Sequence, residues 1–214
     1  KLNPQQFVGL LRSYGLNNPD IHPSMALALG PCEASVCEMV SAYTAFANRG
    51  IRCAPLFVTK IEDNEGNVIA TFQPRMNEVI SETSANKMLV ELQAVVNEGT
   101  ARRLRFKYNL KGEIGGKTGT TNRNADAWFM GFTPELVSGC WVGGEDRDIH
   151  FDSMSMGQGA TMALPIWAYF MQKVFADPRL GYTQKATFDL PEGFDPCAKD
   201  DGGMNEYGID EVYE

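Results

Sequence analysis

Apolar residues recur at helical spacing in four stretches of the chain and alternate with polar ones between them. From Pro4 to Leu16, Phe7, Leu10, Leu11 and Tyr14 share one side of a predicted helix that Gly15 stops. A loop rich in Asn, Pro and Asp follows from Asn17 to Ser24. Ser35-Val36-Cys37-Glu38 has the form of a capping box, and Val36, Met39, Val40, Tyr43 and Phe46 keep the helical period up to Gly50. From Ser81 to Asn97, Ala85, Met88, Leu89, Leu92 and Val96 form a third stripe, with Gly99 expected at the C′ position. A fourth helix, predicted across Met162 to Phe175, tolerates Pro165 only in its first turn. Its Leu164, Ile166, Trp167, Tyr169, Phe170 and Val174 run nearly all round, so it is expected to pack on a sheet.

The alternating stretches supply that sheet. Ala54 to Phe72 alternates on either side of Asp63-Asn64-Glu65-Gly66, a hairpin turn by composition. Gly115 to Thr121 and Asp126 to Phe132 read as strand, polar turn and strand. Trp128 to Gly144 reads as two strands joined at Thr133-Pro134-Glu135, with Phe129, Phe132, Val137 and Trp141 in the sheet. Helices grouped around antiparallel hairpins make an α+β fold, an antiparallel sheet flanked by helices.

Composition narrows this little. The chain has 214 residues, 43% hydrophobic and 21% charged, which suits a globular domain with a core of its own. It contains no run of 18 apolar residues and no signal-peptide pattern, and beginning at Lys1 it reads as an excised segment. Of the net charge of −8, −7 falls between Thr183 and Glu214. That divides the chain into a nearly neutral body, residues 1–182, and an acidic tail, residues 183–214, expected to be mobile. Nothing in the body steers it toward nucleic acid. Arg102, Arg103, Arg105, Lys107 and Lys111 are read as a solvated turn, with attraction of an anionic peptide or cell-wall polymer as the alternative. The five cysteines show no C-x-x-C and only His22 and His150 are present, so no metal and no cofactor is expected.

The chemistry concentrates in Gly115-Gly116-Lys117-Thr118-Gly119-Thr120-Thr121. Small residues there let backbone approach a ligand, while an ammonium and hydroxyls stand beside it. A phosphate loop fails on spacing, because its first glycine falls on Lys111, and no helix-forming run follows. The bland alternative is a glycine-rich hairpin with no ligand.

Gly116-Lys117-Thr118-Gly119-Thr120-Thr121, followed by Ala127-Trp128-Phe129-Met130-Gly131-Phe132-Thr133-Pro134 and Cys140-Trp141-Val142-Gly143, resembles the last third of the transpeptidase domain of class A penicillin-binding proteins. These are bifunctional peptidoglycan synthases. Leu27-Ala28-Leu29-Gly30, Glu38-Met39-Val40-Ser41-Ala42-Tyr43 and Phe46-Ala47-Asn48 extend the likeness from about Pro4 to Phe175.

The resemblance implies a partial penicillin-binding, serine beta-lactamase-like transpeptidase fold. It further implies a serine attack on D-Ala-D-Ala stem peptides of peptidoglycan, trapped by beta-lactams, and a full-length protein anchored at the outer face of the bacterial cytoplasmic membrane. On the matching positions, Lys117 would support proton transfer and draw the substrate carboxylate. Thr118, Thr120 and Thr121 would bind substrate, Gly119 would leave room for its backbone, and the Thr120 N–H would supply half of an oxyanion hole.

Ser84-Ala85-Asn86-Lys87 satisfies both S-x-x-K and S-x-N, but one tetrapeptide serving two motifs reads as coincidence. Lys87 projects roughly 140° from the apolar stripe, toward solvent. The resemblance implies that the nucleophile, its lysine, the S-x-N and a glycosyltransferase domain lie upstream of Lys1, and with no other serine–base pair in reach this chain alone is expected to be inactive. The rival reading is a non-catalytic module that captures a peptide carboxylate or a partner on the same strand edge. A beta-lactam hydrolase would share the Lys-Thr-Gly strand and leave the Trp-containing hairpin unexplained.

Overall fold

The computed structural model describes residues 3–198. Helix α1, Pro4–Ser13, opens on a capping box between Asn3 and Gln6. It closes where Gly15 takes a φ of +87° beside the Arg52 guanidinium. After a short turn at Met25–Leu29, α2, Val36–Ala47, begins at the expected box: Ser35 accepts from the Glu38 N–H, and Glu38 accepts from the Ser35 N–H at 2.8 Å. The Ser35 N–H, with further help from the Asn17 N–H, holds the Glu38 carboxyl below its ordinary pKa.

Two small ladders follow. Strands β1, Ile51–Cys53, and β4, Met76–Glu78, pair antiparallel and enclose the hairpin of β2, Lys60–Glu62, and β3, Val68–Thr71. Asp63 ties the hairpin turn by accepting from the N–H groups of Glu65 and Asn67. The predicted alternation is realised only near the turn, since residues 54–59 carry no strand.

Helix α3, Glu82–Asn97, is capped by Ser81, and Leu89, Leu92 and Val96 of its stripe are buried while Met88 stays exposed. Gly99 stands at the C′ position as expected, directly after the C-cap Glu98, but without a left-handed φ. It is small because a Cβ would press on the Val95 backbone. The short α4, Arg103–Phe106, leads to the main sheet: β5, Gly115–Thr120, β6, Asp126–Phe132, and β7, Val137–Gly143, in that spatial order and all antiparallel. The short α5, Met154–Gly157, precedes α6, Ala163–Ala176.

Both faces of the sheet carry packed side chains, although Lys117, Thr120 and Trp141 stay exposed. On one, Phe129 meets Trp167 of α6 edge to face at 5.2 Å, joined by Leu104, Ile114, Leu164 and Met171. On the other, Phe132 packs with Tyr43 of α2 and Leu89 and Leu92 of α3. Pro165 stands at the third position of α6, as a first-turn proline must. The helix is not covered all round, however. Trp167, Ala168 and Met171 are buried, while Ile166, Tyr169 and Phe170 face outward.

The boundary expected at residue 182 crosses a docked segment. Gln184 accepts from the Lys111 N–H, the Phe188 N–H donates to Glu113, and Phe188 stacks edge-on against Phe132 with Leu190 beside it. Arg49 also reaches Asp189. The acidic stretch beyond residue 198 lies outside the described residues.

Two outcomes test this packing. Phe188→Ala lowers unfolding free energy by about 2 kcal/mol in urea denaturation, whereas an undocked tail would leave it unchanged. Burial pushes the Tyr43 phenol up to about 12 from 10.0. Between those pH values the unfolded chain ionises first, so this contribution is intact below pH 10 and lost on rising to 12. Stability measured across that window therefore falls less steeply in Tyr43→Phe than in the wild type.

Candidate active site

The register of β5 on β6 fixes what the strand presents. Lys117 lies opposite Met130, Thr118 opposite Phe129, Gly119 opposite Trp128 and Thr120 opposite Ala127. Just past the ladder, the Thr121 N–H donates to the Asp126 carbonyl at 3.0 Å. Antiparallel pairs alternate between bonded and non-bonded, so Gly119 and Lys117 also turn their backbone groups toward β6. The N–H and C=O of Thr120 and Thr118 therefore point away from it, along an edge that no strand pairs among the described residues. On the far side of β6 the phase is confirmed by the Thr133 N–H, which bonds the Leu136 carbonyl of the next turn at 2.9 Å.

The side chains use this edge. Lys117 is exposed and bends back so that Nζ donates to the outward Thr118 carbonyl at 2.7 Å. Thr118 Oγ1 lies 2.8 Å from Thr100 Oγ1, a residue of the α3–α4 connection. Thr120 Oγ1 accepts from the Gly159 N–H at 3.0 Å. Gly119 fits because a Cβ would meet that of Trp128 at 3.0 Å.

Thr121 departs from expectation. Its hydroxyl donates to Asp126 Oδ2 at 3.0 Å and accepts from the Asp126 N–H, and Trp141 Nε1 donates to the other carboxylate oxygen. A hydroxyl has one proton, and this one is committed to holding the turn rather than offered to a ligand. Arg123 and Asn124 complete that turn with φ of 62° and 58°, a conformation that costs energy for non-glycine residues. The Arg123 guanidinium reaches His150 Nε2 at 3.0 Å and Asp148, and Asn124 donates to the Phe151 carbonyl. Guanidinium can only donate, so His150 Nε2 is the acceptor.

Residues outside the motif support the strand. Arg103 donates to the Ala160 carbonyl at 2.8 Å, beside the Gly159 that seats Thr120. Gly159 lies so close to the strands that a Cβ would strike the carbonyl oxygens of Gly119 and Trp128. Arg105 bonds the carbonyls of Leu110 and Gly112 at 2.9 and 2.7 Å, on the approach to β5. Burial lowers its pKa from the ordinary guanidinium value. These two arginines are structural ties, not the solvated turn expected from their clustering. Thr100 and Gly159 escaped the sequence reading, although Gly157-Gln158-Gly159 before a helix is a visible signal of close backbone approach.

Ser84 and Lys87 point elsewhere: Ser84 Oγ accepts from the Ser81 hydroxyl at 3.0 Å, and Lys87 Nζ donates to the Ala198 carbonyl. Among the described residues no group of three or more His, Cys, Asp and Glu is placed to hold a metal, and no helix is long and apolar enough to cross a membrane.

The chain matches the model of the penicillin binding protein transpeptidase domain over residues 3–138. It is 40% identical over 163 residues to penicillin-binding protein 1A of Aquifex aeolicus, covering 76% of this chain and 21% of that protein. The crystal structure of penicillin-binding protein 1A from Haemophilus influenzae superposes with a TM-score of 0.75 at 25% identity, over 88% of this chain and 32% of that one. PonA1 from Mycobacterium tuberculosis gives 0.71 at 25% identity, over 88% and 53%. The chain thus spans about a fifth of the length of the curated relatives it matches. With the antiparallel sheet, its flanking helices and these likenesses in agreement, the chain belongs to the penicillin-binding protein transpeptidase domain family.

Proposed function

We propose that this chain is the C-terminal portion of a D,D-transpeptidase domain in a bifunctional peptidoglycan synthase, and that stem peptides and beta-lactams lie along β5. The observation that carries this reading is the outer edge of β5, where the Thr120 N–H, the Thr118 and Thr120 hydroxyls and the Lys117 ammonium stand together with no strand among the described residues against them. A stem peptide ending in D-Ala-D-Ala carries a carboxylate, which takes charge-assisted bonds from hydroxyls and a nearby ammonium. Gly119 lets the substrate backbone approach, and the Thr120 N–H donates to the oxygen that becomes negative as the carbonyl turns tetrahedral.

In this reading a serine oxygen bonds to the carbonyl carbon, the C–N bond to the terminal D-alanine breaks, and an amine of a neighbouring strand then displaces the serine. Lys117 supports proton transfer through the serine of an S-x-N segment. The nucleophile, its lysine, that segment, a glycosyltransferase domain and the membrane anchor belong to sequence upstream of residue 1, at the outer face of the cytoplasmic membrane. The chain alone is then inactive. Residues 1–182 count as transpeptidase domain and residues 183–214 as an acidic tail, the first part of which, through Leu190, packs on that domain. The outward apolar residues Ile166, Tyr169 and Phe170 of α6 support the assignment of further covering chain, since such patches are seldom left in water.

A fluorescent penicillin labels the full-length protein and leaves this chain unlabelled; labelling of the chain itself would reinstate Ser84 and Lys87, and labelling of neither would favour a binding module. In the full-length protein, Thr120→Val slows acylation by about 10- to 100-fold, the loss expected for one hydrogen bond to a charged group. Gly159→Ala slows it as well and lowers the melting temperature, because its Cβ displaces the Gly119 and Trp128 carbonyls.

A further inference from the structure

Two hydroxyls stand on the outward side of the Lys-Thr-Gly strand, and each is met by a group from another element. Thr120 Oγ1 accepts from the Gly159 N–H at 3.0 Å. That bond uses a lone pair and leaves the hydroxyl proton to point elsewhere. Thr118 Oγ1 has Thr100 Oγ1 at 2.8 Å, where either oxygen can supply the proton. Thr100 is exposed and follows directly on Gly99, whose closeness to the Val95 backbone fixes the turn out of α3. The Thr100–Thr118 contact thus joins the α3–α4 connection to β5 through two short side chains, each with one χ1 rotor between hydroxyl and backbone.

An anion beside Thr118 decides the direction of that proton. A carboxylate accepts only, so Thr118 must spend its single proton on it, and the bond between the two hydroxyls survives only if Thr100 donates. The resulting chain, Thr100 to Thr118 to anion, polarises in one sense and strengthens the last bond. Gly159 does the same for Thr120 with a fixed N–H. Both strand hydroxyls would then meet the ligand as donors, one set by backbone and one by a side chain.

We propose that Thr100 is a positioning residue that sets the Thr118 hydroxyl as a proton donor to the carboxylate of the ligand. This rests on the reading of β5 as a carboxylate-binding strand, so its test separates the two. Acylation of the full-length protein is followed with benzylpenicillin and with its methyl ester, which lacks the anionic acceptor. Thr100→Val slows reaction with the acid about tenfold, leaves the ester rate unchanged, and Thr100→Ser restores the acid rate. The role is overturned if Thr100→Val reacts with the acid as the wild type does, or if it loses the same factor on both compounds, as a general structural defect would. Thr118→Val serves as the control. If it keeps the wild-type preference for acid over ester, the carboxylate reading of β5 fails and the Thr100 role falls with it. If it abolishes the preference while Thr100→Val does not, only the Thr100 role fails.

Discussion

The hydrogen bond from the Thr121 N–H to the Asp126 carbonyl sets the phase of the β5–β6 ladder, and the chemistry of the strand depends on that phase. Moving the pairing by one residue would turn Thr120 and Thr118 inward and present Gly119 and Lys117 backbone at the edge. The turn that holds the phase is built accordingly. Asp126 takes three bonds, from the Thr121 hydroxyl, the Trp141 indole and, through its carbonyl, the Thr121 N–H. Strain at Arg123 and Asn124 is tolerated because the turn is tied on both sides, to Asp126 and to the 148–151 loop.

The packing around the sheet serves the same end. Phe129 against Trp167 and Phe132 against Tyr43 and Phe188 clamp β6 from both faces, so the strand that templates β5 cannot shift. Glycines at 115, 116 and 131 leave room for those rings: a Cβ at Gly115 would strike Phe132, and one at Gly116 would come within 2.9 Å of Phe129. The glycine richness that drew attention to the strand thus has two causes. Gly119 leaves room for the Trp128 side chain across the ladder, and the Gly159 backbone lies against it, while Gly115 and Gly116 leave room for the Phe132 and Phe129 rings.

Much of this was legible in the sequence, for physical reasons. Capping boxes are local, so Ser35 with Glu38 marked the start of α2, and the period of α3 placed Leu89 and Leu92 inward, whereas the apolar residues all round α6 hid which of its sides is covered. The order strand, turn, strand from Gly115 to Phe132 followed from alternation and turn residues. What stayed hidden depends on contacts distant in sequence. Residues 183–190 have no period, yet Phe188 docks on Phe132 more than 50 residues away. Arg103 and Arg105 look like a basic patch and act on carbonyls. Thr121 looks like Thr118 and Thr120 but spends its hydroxyl on Asp126, a partner that only the turn geometry supplies.

The central claim is that the Thr120 N–H faces outward to receive a reacting carbonyl while the Gly119 N–H is already bonded within the sheet. Residue-resolved amide hydrogen exchange on the full-length protein, before and after acylation by penicillin, tests it most directly. The account predicts a fast-exchanging Thr120 amide that becomes protected on acylation, beside a Gly119 amide slow in both states. A Thr120 amide protected from the start, or one that acylation leaves unchanged, would contradict it.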